Sequence, residues 1–182
     1  LDKIIRTHVD HIRSEDKDLQ NKAFSFLLEA TNQHVSWAYE IWDEMLEGLT
    51  HKDNHVRAIS AQILSNLAKS DPKNRMLSDF DKLLAVTKDE RFVTARHCLQ
   101  SLWKVGVVGK KQQKFYMEGL EHRFRECSTE KNCTLIRYDI LQSMRNVYSE
   151  VTDEKIRTKA LELIEIEEDP KYRNKYASLW KK

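Results

Sequence analysis

"HKDNHVRAISAQILSNLAKSDP", residues 51–72, reads as a polar turn, one amphipathic helix and a capped new start. Val56, Ile59, Ile63, Leu64 and Leu67 recur at helical spacing and so share one face. Asp53 or Asn54 can cap the start by accepting a bond from a free backbone N–H. The helix should end before Ser70-Asp71-Pro72, with Asp71 as the next cap and Pro72 at the next first helical position. Residues 87–106, "TKDERFVTARHCLQSLWKVG", repeat the layout.

The same period extends both ways. With Leu19, Val56 and Phe92 placed at one equivalent position, the steps are 37 and 36 residues. Leu27, Leu64 and Gln100 follow in register, as do Ala30, Leu67 and Trp103, and a register aligning Ala61 with Ala95 stays open. Ile136 continues the series after a longer step that contains the glycine-bracketed loop "VGVVGKK" (105–111). Helical stripes fill the rest. Ile4, Ile5, His8, Val9 and Ile12 make the first, and Leu19, Ala23, Phe26, Leu27 and Ala30 the second. Ala38, Ile41, Trp42, Met45 and Leu46 precede the opening stretch, and Met76, Phe80 and Leu83 follow it. Beyond the loop come Tyr116, Leu120 and Phe124, then Ile136, Ile140 and Met144, then Ile156, Ala160 and Leu163. Asp169 and Pro170 reset the chain as Asp71 and Pro72 do, and Tyr172, Tyr176, Leu179 and Trp180 mark the last helix. Internal repeats of this period mean stacked supersecondary units.

Composition agrees. Four Gly and two Pro in 182 residues are too few to punctuate an all-β chain. At 40% hydrophobic and 33% charged residues, the chain can bury a core rather than stay disordered. The expectation is one helical-repeat domain over residues 1–182. No run approaches the length of a membrane span, so no membrane partner is expected. The charged start, "LDKIIRTHVDHIRSEDKD", is not a signal peptide, and the absence of Met at position 1 places the natural start upstream. Three Cys without paired CxxC spacing point to free thiols in a reducing, cytoplasmic compartment. Cys127 and Cys133 flank a turn and can come close, but read as incidental thiols.

"DNHVRAISAQILSNLA" resembles the second helix of a HEAT or armadillo-type repeat, with an acidic turn, then Val-Arg, then small and aliphatic residues. "DERFVTARHCLQSLW" and "DEKIRTKALELIEI" are looser copies, and "NCTLIRYDILQSM" keeps Ile136-Arg137 without the acidic residue. The resemblance covers most of the chain. It implies an all-α, right-handed α-α superhelix of about ten helices in five pairs, its second helices lining a concave face. It also implies that Asp53 with Arg57 and Asp153 with Arg157 form a charge ladder between repeats. The motif is one of packing and says little of function.

Chemistry is sparse. His8 with His11 and His51 with His55 are two-ligand spacings without a third ligand nearby, so no metal is expected. Cys98 adjoins His97, but neighbouring helical residues point apart and cannot act as nucleophile and base. "VGVVGKK" lacks the strand and spacing of a phosphate loop. The HEAT-like alkylpurine DNA glycosylases use tryptophans, an aspartate and basic residues in a cleft. Here Trp42 precedes Asp43, yet Trp42 and Trp103 fall in core phase, Trp37 and Trp180 are less committed, and no motif maps residue by residue. No catalytic residue and no cofactor are expected.

The leading expectation is therefore a non-enzymatic scaffold that binds a protein or peptide on its concave face. The candidate contacts are Gln62, Asn66, His97, Ser101, Tyr138, Gln142 and Arg145. The second is nucleic-acid binding through Lys110, Lys111 and Lys114 and through Lys171, Arg173 and Lys175, where basic residues mix with aromatics. A formal net charge of +2 favours the first. A third is a piece of a larger scaffold.

Overall fold

The computed structural model describes residues 1–181. Among these residues it is all-helical, with eleven α-helical segments and no strand. They are α1 (Lys3–His11), α2 (Lys17–Thr31), α3 (Ala38–Gly48), α4 (Asn54–Leu67), α5 (Arg75–Ala85), α6 (Phe92–Ser101), α7 (Trp103–Gly106), α8 (Lys110–Glu126), α9 (Cys133–Val151), α10 (Glu154–Ile164) and α11 (Pro170–Ser178). The helices stack in two layers as a superhelical array. One layer runs α3, α5, α8, α10, and the other runs α2, α4, α6, α9, α11. Arg6 brings α1 onto α3 through Glu44, at 2.7 and 3.1 Å. The four-residue α7 prolongs α6 and packs on α8 and α9.

Aspartates start five of the eleven helices in one way. Asp2, Asp16, Asp53, Asp153 and Asp169 each accept a hydrogen bond from the backbone N–H two residues on, at 2.8–3.0 Å. Such a cap satisfies a donor that the helix cannot. Asp169 does so with Pro170 as the first helical residue. Asp71 behaves differently from the expectation. It accepts from Arg75 and Met76 N–H, both at 2.8 Å, so α5 begins at Arg75 and Pro72 lies in the preceding turn. Asn74, in the left-handed region (φ 54°), turns the chain into α5, a conformation that asparagine tolerates.

One core runs the length of the stack. α4 is its centre, touching α2, α3 and α6, with Val56, Ala61, Ile63, Leu64 and Leu67 fully buried. The register of α2 is one residue from that expected. Gln20, Ala23, Leu27 and Thr31 face inward, while Leu19 and Phe26 lie at the surface. Gln20 is buried because its amide donates to the Ile12 carbonyl at 2.8 Å and reaches Asp53 at 3.4 Å. Phe26 instead stacks on His8, ring centroids 4.0 Å apart. Ile4 is exposed.

α3 and α4 cross at Gly48. A methyl group there would lie 2.8 Å from Ser60 Cβ, closer than real contacts allow. Gly48→Ala should therefore cost about 1–2 kcal/mol, overpacking outweighing the better helix propensity of alanine. A urea midpoint unchanged or raised would show that the crossing relaxes freely.

The reading of Cys127 and Cys133 as incidental thiols is corrected. Across the turn between α8 and α9 their Cα atoms are 5.2 Å apart and their sulfurs are joined. The turn folds back because Arg123, itself buried, holds Glu130 in a two-pronged ion pair at 2.5 and 2.8 Å.

Candidate functional site

Of the seven residues expected on the concave face, the fold brings Gln62 and His97 together. They line a groove of about 250 Å³ between α2, α4 and α6. Its remaining wall is Asn21 and Phe24 of α2, Asn54, His55, Ala58 and Ile59 of α4, and Val93 and Thr94 of α6. No lysine, arginine or carboxylate lines it. Gln62 spends one amide N–H on the Ala58 carbonyl of its own helix at 3.1 Å, leaving its oxygen open. Asn54 and Thr94 tie α4 to α6 through contacts of 3.3 and 3.4 Å. Val93 is 66% exposed on the rim, and Phe24 and Ile59 supply apolar surface below it.

Asn66 and Ser101 are corrections, since both are buried. The Asn66 amide donates to the Leu28 carbonyl and Thr31 hydroxyl, each at 3.1 Å, and its oxygen accepts from Lys104 at 2.6 Å. Ser101 donates to the Cys98 carbonyl at 2.8 Å and meets Ser65 at 3.2 Å. Both join neighbouring helices rather than face a partner. Tyr138, Gln142 and Arg145 lie on α9, apart from the groove. Arg145 sits over the rings of Tyr148 and Trp180, 5.3 and 5.6 Å from their centroids, and Lys175 of α11 covers Tyr138 at 5.0 Å. Gln142 bonds Asn146 at 3.1 Å.

The sequence reading missed Asn21, Phe24, Asn54, His55, Val93 and Thr94. One signal was present, because Val93 is an apolar residue outside the α6 stripe.

The basic clusters are partly neutralised where they stand. Lys110 and Lys114 line a cavity of about 480 Å³ between α8 and α10, but Glu118, Glu121 and Asp153 line it too. Lys110 pairs with Asp153 at 3.4 Å and Lys159 with Glu121 at 3.2 Å. Lys111 is exposed beside them. On α11, Lys171 lies over Tyr172 at 5.9 Å and Arg173 is half-buried. Lys182, the end of that cluster, lies outside the described residues.

Burial pushes the Cys98 thiol far up, so its thiolate is not populated near neutrality, and the neighbouring His97 points to the surface. His51 Nδ1 accepts from Asp53 N–H at 3.0 Å, while His55 meets the Asp53 carboxylate at 3.1 Å, so the two rings serve one cap. Among the described residues no three His, Cys, Asp or Glu side chains are placed to hold a metal ion. Trp42 is fully buried and donates to Asp79 at 3.0 Å. Trp180 is buried as well, whereas Trp103 is half-buried and lines a cavity, the reverse of the order expected. Among the described residues no helix is long and apolar enough to cross a membrane.

The fold and groove define a class, a helical stack with an open, uncharged trough. The sequence matches no known protein-family model and no curated protein.

Proposed function

We propose that this chain is a non-enzymatic scaffold of the HEAT or armadillo type that holds an extended protein segment in the groove between α2, α4 and α6. The observation that carries the reading is the lining of that groove. Asn21, Asn54 and Gln62 offer amide donors and acceptors, matching the N–H and C=O groups of an extended backbone. Phe24, Ile59 and the exposed Val93 offer apolar surface to its side chains. A nucleic-acid strand would find no cation there to meet its phosphates. The cytoplasmic placement belongs to the same proposal. It rests on the free, buried Cys98 and is weighed against by the Cys127–Cys133 bond, which is rare in reducing compartments.

Photo-crosslinking from position 97, with position 111 as control, tests the reading. Peptide adducts from position 97 that survive nuclease are expected. For DNA, a gel-shift titration should give only weak binding, Kd of about 10⁻⁴ to 10⁻⁶ M at physiological salt. Nanomolar affinity lost in the Lys110→Ala, Lys111→Ala, Lys114→Ala triple variant would replace the peptide reading with the nucleic-acid one.

A further inference from the structure

The helix faces that border the trough continue past Gln62, with Asn66 and Ser101 buried between it and a second cavity. His55, Ile59, Gln62, Asn66 and Lys69 follow one another at spacings of three or four, one face along α4 and the turn after it. Val93, His97, Ser101 and Lys104 do the same along α6 and α7, and Asn21, Phe24, Leu28 and Asn32 along α2 and its end. At their far end these faces meet that second cavity, of about 360 Å³, lined by Asn32, Lys69, Trp103, Lys104, Val107 and Val108. Buried Asn66 is the link, bonded to Leu28 and Thr31 on one side and to Lys104 on the other.

The cavity at this end is lined by two lysines and, among the described residues, by no carboxylate, whereas Glu118, Glu121 and Asp153 share the cavity of Lys110 and Lys114. Lys69 Nζ donates to the Asn32 carbonyl at 2.6 Å, and Lys104 Nζ to Asn66 Oδ1 at 2.6 Å. Neither forms an ion pair with a carboxylate among the described residues. An ammonium has three N–H donors, so each keeps two for the cavity. Helix-end carbonyls attract lysines, and that accounts for Lys69 on Asn32. It does not account for Lys104, which lies half-buried, 5.9 Å from the Trp103 ring centroid, with only a side-chain amide as partner. Burial and then the charge of Lys69 make the Lys104 ammonium easier to deprotonate than usual. A half-buried cation beside a second cation lacks one thing, an anion.

We propose that this cavity receives the carboxylate of an acidic residue in the peptide that occupies the trough, with an apolar neighbour of that residue against Trp103 and Val107. The proposal rests on the peptide reading of the trough and adds its polarity. A single cationic end on an otherwise uncharged trough fits one negative group on a neutral chain. It does not fit a strand carrying a charge at every nucleotide.

The test is an array of short capped peptides, each with one central Glu and varied neutral flanks, printed beside the same peptides with Gln. The full chain, fluorescently labelled, is the probe. Binding should favour Glu over Gln about tenfold, the scale of one charge-assisted hydrogen-bond pair, and the preference should fall as salt rises. Lys69→Ala, at the surface, should reduce it, and Lys69→Glu should invert it, while thermal melting shows the fold kept. Binding to both series alike keeps the trough reading and overturns the acidic end. Binding to neither, with Gln62→Ala and His97→Ala indistinguishable from the parent, overturns both. Loss of the preference when inorganic phosphate is added at low millimolar concentration assigns the cavity to a free anion and overturns the proposal. Displacement of bound peptides by oligothymidylate overturns it in favour of nucleic acid.

Discussion

Replacing Leu64 by alanine should lower the stability of this chain by about 2–5 kcal/mol, the range for a leucine removed from a closed core. Leu64 has no exposed surface and sits on α4, which packs against α2, α3, α6 and α7. The cavity left there cannot collapse easily, because α2, α3 and α6 are each held by other contacts. Gln62→Ala, two residues away, should change stability by no more than about 0.5 kcal/mol. Its one hydrogen bond is to its own helix, and its side chain borders the groove. Urea midpoints of the two variants decide the matter. Equal losses would mean that α4 is rotated from the phase described and that Gln62 does not border the trough.

The α4 stripe was legible because its apolar residues keep phase for four turns. Its polar positions were not. Ser60, Ser65 and Asn66 are polar in sequence, yet all are buried. A central helix in a two-layer stack has neighbours on three sides, so Ser65 and Asn66 become cross-links and Ser60 packs against Gly48. Asn66 shows the consequence, with each end of its amide bonded to a different helix. Gln20 misleads in the same way, since burial of an amide depends on a carbonyl from another segment. Half of the groove was hidden for a related reason. Asn54 reads as a candidate cap and His55 as a helix start; Asp53 is the cap, and the first turn of α4 is also the mouth of the trough. The cationic end was illegible because Lys69 and Lys104 stand 35 positions apart in an evenly charged sequence.

The two acidic-turn motifs, Asp53 with Arg57 and Asp153 with Arg157, look alike in sequence and should respond very differently to mutation. Arg57 does not pair with Asp53. It crosses to the next repeat, binding Asp89 through Nε at 2.6 Å and Nη2 at 2.9 Å, and also donates to the His51 carbonyl at 2.8 Å. Asp53 in turn receives Lys17 from the repeat before, at 3.1 Å. At this end the ion pairs step from helix to helix along the stack, and Arg96 with Asp139 (2.8 and 2.9 Å) extends them to α9. Arg157 meets only Glu154, 3.9 Å away on its own helix, and keeps 38% of its side-chain surface. Arg57 and Asp89 keep 11% and 7% of their side-chain surface, so Arg57→Ala strands a buried carboxylate and should cost about 3 kcal/mol. Arg157→Ala should cost no more than about 0.5 kcal/mol. Acid provides an independent check. Burial pushes the Asp89 carboxyl up, but the bonds from Arg57 and the Arg91 N–H outweigh it and hold the carboxyl below its ordinary range. A carboxylate lowered in the folded state gives its stabilisation above the unfolded pKa, about 3.9, and loses it as pH falls through the folded value. The deficit of Arg57→Ala relative to the parent should therefore be full at neutral pH and shrink once the pH drops below about 4. Urea titrations at neutral and acidic pH measure it. A deficit that stays constant across that range, or an equal one in Arg157→Ala, would remove the ion pair from the account of how neighbouring repeats are held in register.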